Sequence, residues 1–333
     1  MKKKRIVIVN VLIVLLTFTS LFAAPVAHAG YKDNSSKLYY FLSQQVYNAN
    51  GLPGDKNTGI QKVLDQKFKK GKYKVLDTID VNNKSHKAAT RKSGGIEPFK
   101  DTGFKAMAVV SESEKKLFIA IAGSQIGAAS DFSDAHTARN VFEGDVPGQL
   151  YHAQLYLNYI YSAYPKYKDY KWYFTGHSLG GFVASKLYLD IQAKRWHYPS
   201  NFYVYGKAVK KTKISGVYTF NPLPVPKSQV SSTQWNANKK GTYNSEIKNF
   251  YIQNEWLNGI YDMYPNDLAY FGTQEAIDKK VKHYKSLNYK LNKVGSPPLR
   301  MASNTMSYYL WAKKNYKPVY DYHGLSSFEK HVK

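Results

Sequence analysis

The sequence predicts an α/β fold in which a mostly parallel central sheet is flanked by helices. Two observations support this prediction. Segments with the pattern of buried strands alternate along the chain with segments of helical spacing, and such alternation is typical of a parallel sheet covered on both faces. In addition, a glycine-rich run at 175–181 follows one predicted strand and opens a predicted helix. The chain therefore carries a tight strand-turn-helix connection near its centre.

The elements before this connection follow from local patterns. Apolar spacing over 35–64 predicts two helices, separated by the glycine- and proline-containing turn 50–54. The polar stretch 81–101 predicts a loop. Segments 104–110 and 116–122 then alternate like strands and are joined by a short polar turn, so they predict a hairpin.

The second half of the chain repeats the strand-then-helix order. Large apolar residues at helical spacing predict a helix over 150–164, and the strand 171–175 leads into the glycine-rich run. A second helical pattern covers 182–195. The segments 216–220 and 248–253 predict buried strands that each open into a loop.

The first 29 residues read as a secretory signal peptide. Basic residues at 2–5 precede an apolar run over 6–24, and Ala-His-Ala at 27–29 offers a cleavage site. The alternative is an uncleaved membrane anchor, because the apolar run approaches the length of a spanning helix. No repeat or linker divides the remainder, so residues 30–333 are expected to form a single domain. We expect the protein to be secreted, and extracellular or associated with the cell wall.

Composition limits the chemistry and the partners. The chain has no cysteine, which excludes disulfides, a thiolate metal site and a thiol nucleophile. Its formal net charge is +25, which favours attachment to anionic lipid or phosphate-rich cell-wall polymers. Its lysine pairs are scattered along the chain instead of forming one helix face, so no specific nucleic-acid partner is expected, and a merely solubilising surface is the alternative. The oligomeric state is not predicted.

Ser178 is the candidate nucleophile. It lies in Thr175-Gly176-His177-Ser178-Leu179-Gly180-Gly181, after a predicted strand and at the start of a predicted helix, as a nucleophile elbow requires. The turn exposes the serine hydroxyl, and β-carbons at 176 and 180 would crowd the strand and the helix. The helix N-terminus would also stabilise negative charge that develops beside the serine. The alternative is a glycine-rich turn with an idle serine.

Segments around the elbow resemble those of a known family. Residues 104–108 (Phe-Lys-Ala-Met-Ala) and 117–124 (Leu-Phe-Ile-Ala-Ile-Ala-Gly-Ser) are similar to a hairpin that ends in an oxyanion strand, and residues 148–152 (Gly-Gln-Leu-Tyr-His) to the segment before a central helix. On these residues the chain resembles the class 3 lipases, the fungal-type lipases and their bacterial relatives. It departs from them in having Ala122 where the family has arginine. The resemblance implies an α/β-hydrolase fold.

The resemblance also implies an oxyanion hole. The backbone N–H and hydroxyl of Ser124 would form one half, and the backbone N–H of Leu179 the other. An ordinary turn serine is the alternative for Ser124. The stretch 125–144 lies where the family carries its lid, although its apolar pattern also fits a surface helix.

The acid must follow the serine, because the chain order in this fold is serine, acid, histidine. Glu255 is the best-placed candidate, since it comes just after the predicted strand 248–253, where the family has an aspartate. Asp262 is the rival, because an aspartate shortly before a proline also resembles the family's acid. Asp267 is a third possibility. Each would orient a histidine and stabilise its charged form.

His323 is the preferred base, because it precedes a short final helix, where this fold usually delivers its histidine. His283 is the alternative, in a lysine-rich stretch that reads as a helix with a solvated histidine. His197 comes before either acid and is out of order, and His331 lies close to the chain end. His177 is within the elbow and is not expected to reach its neighbour's hydroxyl.

These features imply a secreted serine ester hydrolase, a lipase or esterase, which cleaves acyl esters, lipid among them, through an acyl-enzyme. No cofactor or metal is predicted. Two alternatives stay open: a non-catalytic, basic surface-binding protein on a hydrolase scaffold, and an acyltransferase or peptidase on the same fold. Neither acyl-chain length nor headgroup preference follows from the residues.

Overall fold

Seven strands form the central sheet, in the order β1-β2-β3-β4-β5-β7-β9. The strands are β1 Lys74–Asp80, β2 Lys105–Ser111, β3 Lys116–Ile121, β4 Lys171–His177, β5 Ile214–Phe220, β7 Ile247–Gln253 and β9 Thr273–Lys280. The pairs β1-β2 and β2-β3 are antiparallel, and the remaining pairs are parallel. The predicted fold class, a mostly parallel sheet with flanking helices, is confirmed.

The computed structural model describes residues 34–51, 54–81, 102–123, 141–142, 148–195, 214–287, 289–293, 295–316, 318 and 321–329. The predicted signal peptide, nearly all of the predicted loop 81–101, Ser124 and most of the predicted lid stretch lie outside these residues. The chain from Tyr31 onwards forms one compact unit. No helix in the described ranges is both long and apolar enough to cross a membrane.

The helices of the described residues connect the strands and cover the sheet. They are α1 Asn34–Gln45, α2 Thr58–Lys67, α3 Gly148–Ala163, α4 Leu179–Gln192, α5 Ser232–Lys239, α6 Trp256–Met263 and α7 Pro297–Asn315. Short 3₁₀ helices include Tyr284–Leu287 and Leu325–Phe328. A second, two-stranded sheet pairs β6 Val225–Pro226 with β8 Leu268–Ala269.

Helices lie on both faces of the sheet, as β4 shows. The side chain of Thr175 hydrogen-bonds that of Ser43 in α1 at 2.8 Å. Its neighbour Gly176 faces α4, since a β-carbon there would lie 2.4 Å from the carbonyl oxygen of Gly180. Neighbouring residues of a strand point to opposite faces, so α1 and α4 cover opposite sides of β4. The central strands are accordingly buried along almost their whole length.

Two edge strands and three helices were not predicted from the sequence: β1, β9, α5, α6 and α7, of which α6 lies where a loop was expected after the strand 248–253. The sequence of β9, Thr-Gln-Glu-Ala-Ile-Asp-Lys-Lys, has no apolar alternation, because an edge strand pairs on one side and tolerates charge. The prediction of a lysine-rich helical stretch around His283 is wrong. His283 follows β9 in an irregular segment and precedes the 3₁₀ helix Tyr284–Leu287.

Candidate active site

Ser178 lies at the turn between β4 and α4 in a strained conformation, with φ 57° and ψ −127°. A residue other than glycine rarely adopts such a positive φ. The turn is held by its backbone: the N–H of Ser178 donates to the carbonyl of Phe220 at 3.1 Å. The glycines permit the close approach, because a β-carbon on Gly180 would lie 2.3 Å from the carbonyl oxygen of Ile121. The expected strand-turn-helix geometry is therefore present.

His323 is within hydrogen-bonding distance of the serine. Its Nε2 lies 2.8 Å from Oγ of Ser178. It lies in a turn just before the 3₁₀ helix Leu325–Phe328, so the predicted position before a short final helix is observed. Ser178 and His323 are far apart in the sequence, and the fold brings them into contact.

Glu255 lies on the far side of this imidazole. Its Oε2 is 2.8 Å from Nδ1 of His323. Glu255 caps the N-terminus of α6, where its side chain accepts hydrogen bonds from the backbone N–H groups of Leu257 at 3.1 Å and Asn258 at 2.6 Å. These bonds fix the carboxylate, and the helix N-terminus favours its negative charge. Because a carboxylate accepts at Nδ1–H, Nε2 is left free to accept the serine proton.

The three side chains are removed from solvent. Glu255 is 0% exposed, and Ser178 and His323 are 7% and 6% exposed. Burial lowers the pKa of the His323 imidazole and raises the pKa of the Glu255 carboxyl, the latter against the two backbone N–H donors that lower it. The imidazole is thus neutral at neutral pH and can act as a proton acceptor. An edge-on contact with Trp256, at 5.1 Å between ring centroids, covers one side of it.

The backbone of His323 is held by two buried side chains at the ends of neighbouring strands. The amide Nδ2 of Asn221 donates to the carbonyl oxygen of His323 at 2.9 Å, and Nε2 of His177 lies 2.7 Å from the same oxygen. Because a carbonyl only accepts, Nε2 of His177 carries the hydrogen. Asn221 also accepts from the N–H of Ile252 at 2.8 Å. The loop that carries the histidine is thereby attached to the strand that leads to Glu255.

A second set of contacts leads from His177 to the predicted oxyanion strand. The Tyr47 hydroxyl donates to Nδ1 of His177 at 2.9 Å and accepts from the backbone N–H of Gly123 at 3.1 Å. Burial, with the nearby His323, lowers the pKa of His177 to about 3, so the ring stays neutral and keeps this donor pattern. Gly123 packs directly on the elbow, since a β-carbon there would lie 3.1 Å from Cβ of Ser178.

Tyr47→Phe is therefore expected to lower kcat for a soluble ester by about tenfold, because loss of the hydroxyl removes both positioning hydrogen bonds, at a cost on the order of 1–2 kcal/mol. Steady-state kinetics measure the change. Tyr164→Phe is the matched control, since the Tyr164 hydroxyl donates to Leu76 in the edge strand β1 at 2.9 Å. Equal losses of kcat in both variants would contradict a positioning role for Tyr47.

Asp262, the rival acid, and His283, the rival base, face each other and lie apart from the hydrogen-bonded series Glu255–His323–Ser178. Oδ2 of Asp262 is 3.6 Å from Nε2 of His283, and each side chain is about one-third exposed, at 33% and 35%. Asp262 belongs to α6, two turns beyond the cap at Glu255. Burial raises the pKa of Asp262, and His283 opposes that rise. Of the two acids, only Glu255 contacts His323. Asp267, the third candidate, donates its backbone N–H to Tyr264 in the turn before β8.

The predicted oxyanion hole stays a prediction, and only the position of Leu179 can be described. Leu179 is the first residue of α4, and the first N–H groups of a helix have no partner within the helix. Ser124 lies outside the described residues. Among those described, no group of three or more acidic or histidine side chains could hold a metal ion.

The sequence did not predict the residues that hold the three candidate catalytic side chains in position. Asn221 follows β5 at a positive φ of 39° and precedes Pro222; a polar residue at the carboxyl end of a parallel strand is the signal that could have identified it. The position of His177 within the elbow predicts no role as a base, and its contacts with a carbonyl and a tyrosine give it a supporting one. No local pattern points to Tyr47, which lies in a 3₁₀ helix far from the elbow in sequence.

A strained serine on a strand-turn-helix elbow, a histidine that follows the last strand and an acid between them define an α/β-hydrolase. The family described as Lipase (class 3) matches residues 111–213, a segment that includes β3, α3, the elbow and α4. Over this segment the chain is similar to the class 3 lipases, and this match supports a carboxylic ester hydrolase. No curated protein matches the chain.

Several solved lipase structures are similar at low identity. The lipase–propeptide complex of Rhizomucor miehei is 13% identical, covers 72% of this chain and 67% of its own, and has a TM-score of 0.38. The lipase of Rhizopus microsporus var. chinensis is 12% identical over 78% of this chain and 83% of its own, with a TM-score of 0.41. A triacylglycerol lipase of Penicillium expansum is 14% identical over 75% and 80%, also at 0.41.

Proposed function

We propose that the protein hydrolyses acyl esters through a covalent acyl-enzyme, with Ser178 as nucleophile, His323 as general base and Glu255 as the orienting acid. One observation carries the proposal: the unbroken row from the Glu255 carboxylate through the His323 imidazole to the Ser178 hydroxyl, with both contacts at 2.8 Å. A nucleophile, a base in hydrogen-bond contact with it and a third group that orients the base are the parts that covalent acyl transfer needs.

The first half of the reaction forms the acyl-enzyme. Nε2 of His323 accepts the proton of the Ser178 hydroxyl as Oγ attacks the ester carbonyl carbon, and the carbonyl electron pair moves onto oxygen. The imidazolium donates that proton to the leaving alkoxide as the carbon–oxygen bond breaks. The alcohol departs and Ser178 retains the acyl group. Glu255 stabilises the imidazolium throughout and holds its ring in place.

Water completes the cycle. His323 accepts a proton from water as the hydroxide attacks the acyl carbon, and then returns it to Oγ of Ser178 as the carboxylic acid leaves. The backbone N–H of Leu179, with the backbone N–H and hydroxyl of Ser124, would hold the negative oxygen of both tetrahedral intermediates. Loss of one such donor typically costs roughly 100- to 1000-fold in rate.

Substrate and location complete the proposal. We infer that the substrate is a lipid or other acyl ester, since residues 111–213 match the class 3 lipases. The signal-peptide pattern over 1–29 supports secretion. The net charge of +25 supports attachment to anionic lipid or cell-wall polymers at low salt. Two other reactions would use the same side chains: transfer of the acyl group to an acceptor other than water, and peptide cleavage. Acceptor-alcohol and amide controls distinguish them from ester hydrolysis.

The proposal predicts that a fluorophosphonate probe labels the wild-type protein at Ser178 and abolishes hydrolysis of a short chromogenic ester. Ser178→Ala is expected to lose both labelling and turnover, because the attacking oxygen is absent. Peptide mapping of the labelled protein identifies the residue. Turnover retained by Ser178→Ala would remove the mechanism, and a folded wild type that is neither labelled nor active would favour the non-catalytic surface-binding alternative. A panel of esters of increasing chain length, with amide and acceptor-alcohol controls, defines the substrate class.

A further inference from the structure

One side of α7 exposes large apolar side chains. Among the described residues, Met306 and Leu310 are the exposed large hydrophobic side chains, at 38% and 55% of their full accessible surface. They are four positions apart, so they lie one above the other on the same helix face. Lys314, a further four positions along, is also exposed. These three residues, called here the α7 row, extend over about 12 Å of the helix.

The helix is firmly fixed behind this row. Tyr308 and Ala312 are fully buried, and Met301 is 5% exposed. The side chain of Asn304, 1% exposed, accepts from the N–H of Asn292 at 2.7 Å and donates to its carbonyl at 3.0 Å. The apolar face of α7 is therefore already used for packing, and the α7 row is a second, outward face on a rigid element.

The helix that carries the α7 row is linked to the candidate active site through aromatic contacts. Tyr309, which lies between Met306 and Leu310 on the helix, packs edge-on against Trp256 with ring centroids 5.2 Å apart. Trp256 in turn contacts the imidazole of His323 at 5.1 Å. Two ring contacts thus separate the helix from the predicted base. The helix that carries the α7 row is therefore attached to the side chains that would act on the ester.

The charge of α7 favours an anionic surface. Its sequence, Pro-Pro-Leu-Arg-Met-Ala-Ser-Asn-Thr-Met-Ser-Tyr-Tyr-Leu-Trp-Ala-Lys-Lys-Asn, contains three basic residues and no acid. Lysine beside exposed apolar residues suits a bilayer, because the apolar side chains enter the acyl layer while the ammonium group stays with the phosphates. The net charge of the whole chain, +25, has the same sign.

We propose that the α7 row docks on an anionic lipid surface and presents the candidate active site to the esters of that surface. The proposal deepens the proposed function and, for its catalytic consequence, rests on it. Met306 and Leu310 insert among the acyl chains, and Lys314 contacts the headgroup phosphates. The substrate is then an ester delivered from a lipid layer, whereas a short soluble ester reaches the site without this contact.

The test measures binding of Leu310→Glu and Met306→Glu to phosphatidylglycerol–phosphatidylcholine vesicles by sedimentation, each in the Ser178→Ala background so that lipid is not consumed. The matched control is Asn236→Glu, which adds the same charge on an exposed position of α5. That helix is attached to the far end of α4, where Gln234 donates to the carbonyl of Leu189 at 2.9 Å, and is roughly 15 Å along α4 from Ser178.

We expect Leu310→Glu to lower the vesicle partition coefficient by roughly 10- to 100-fold, because a buried leucine contact is lost. Lys314→Gln should lower it about fivefold on anionic vesicles and leave binding to pure phosphatidylcholine unchanged. Asn236→Glu should bind like the Ser178→Ala parent. In proteins with an intact Ser178, the α7 variants should hydrolyse a short soluble ester at the wild-type rate and a vesicle-borne ester more slowly in proportion to the lost binding.

Equal binding by Leu310→Glu and Asn236→Glu would overturn the proposal, as would equal binding of the parent to anionic and to neutral vesicles. Slower hydrolysis of the soluble ester by Leu310→Glu would also overturn it, since the row would then act on the site directly. Failure of the proposed function has a different signature: the wild type fails to hydrolyse the soluble ester, while vesicle binding and its loss in Leu310→Glu are unaffected.

Discussion

Replacing His323 with alanine is expected to lower kcat toward a short soluble ester by at least roughly 10⁴-fold. Without the imidazole, the Ser178 hydroxyl has no proton acceptor at 2.8 Å and is a weak nucleophile at neutral pH. The loss should appear in kcat more than in KM, because the base acts in the transition state and not in substrate binding. Steady-state kinetics, with single-turnover measurement of probe labelling, check both statements.

His283→Ala is the matched control for this prediction. It removes the same type of side chain from a position that pairs with Asp262 and is 35% exposed, so turnover should change less than about twofold, as is usual for surface substitutions. The assignment of the base fails if His323→Ala turns over at a near-normal rate, or if His283→Ala loses as much activity as His323→Ala.

Glu255→Gln is expected to lower kcat by roughly 10³- to 10⁴-fold. Glutamine keeps the size of the side chain but removes the negative charge that stabilises the imidazolium. Its amide group can also favour the opposite tautomer of His323, in which Nε2 carries hydrogen and cannot accept the serine proton. The kinetics of ester hydrolysis measure the loss, and thermal unfolding shows whether the cap of α6 is retained.

Asp262→Asn provides the comparison for Glu255. The Asp262 carboxylate faces His283, so its loss should leave kcat within about twofold of the wild-type value. A large effect of Asp262→Asn together with a small effect of Glu255→Gln would move the acid to the other end of α6. A large effect of both would indicate that α6 as a whole positions the site.

The central sheet could be predicted because its signals are local. The five predicted strands all occur in the sheet, with ends that differ by a few residues. Burial on both faces gives such strands continuous apolar runs, which the sequence displays. The edge strands β1 and β9 lack this signal. Buried Asp77 interrupts the apolar run of β1. It accepts a hydrogen bond from the Tyr164 hydroxyl, which no local sequence pattern predicts.

The candidate site also contains residues that local patterns predict and residues that they do not. Ser178 follows from a short motif, and the order of acid and histidine along the chain narrowed their positions. The sequence does not decide between Glu255 and Asp262 as the acid. The structure places Glu255 at the N-terminal cap of α6, where its carboxylate faces His323. Asn221, Tyr47 and the supporting role of His177 depend on contacts between distant segments, so they are visible only in the folded chain. The catalytic roles themselves stay predictions until the variants are measured.

The attachment of His323 also bears on how the protein folds. Its loop is held by side chains from the ends of β4, β5 and β7, namely His177, Asn221 and Glu255. Each of these strands contributes a different contact to the same histidine. We expect the loop to reach its native position during refolding only once all three strands have paired in register. Recovery of ester turnover therefore reports the completed sheet, and it is a more stringent indicator of the native state than helix content.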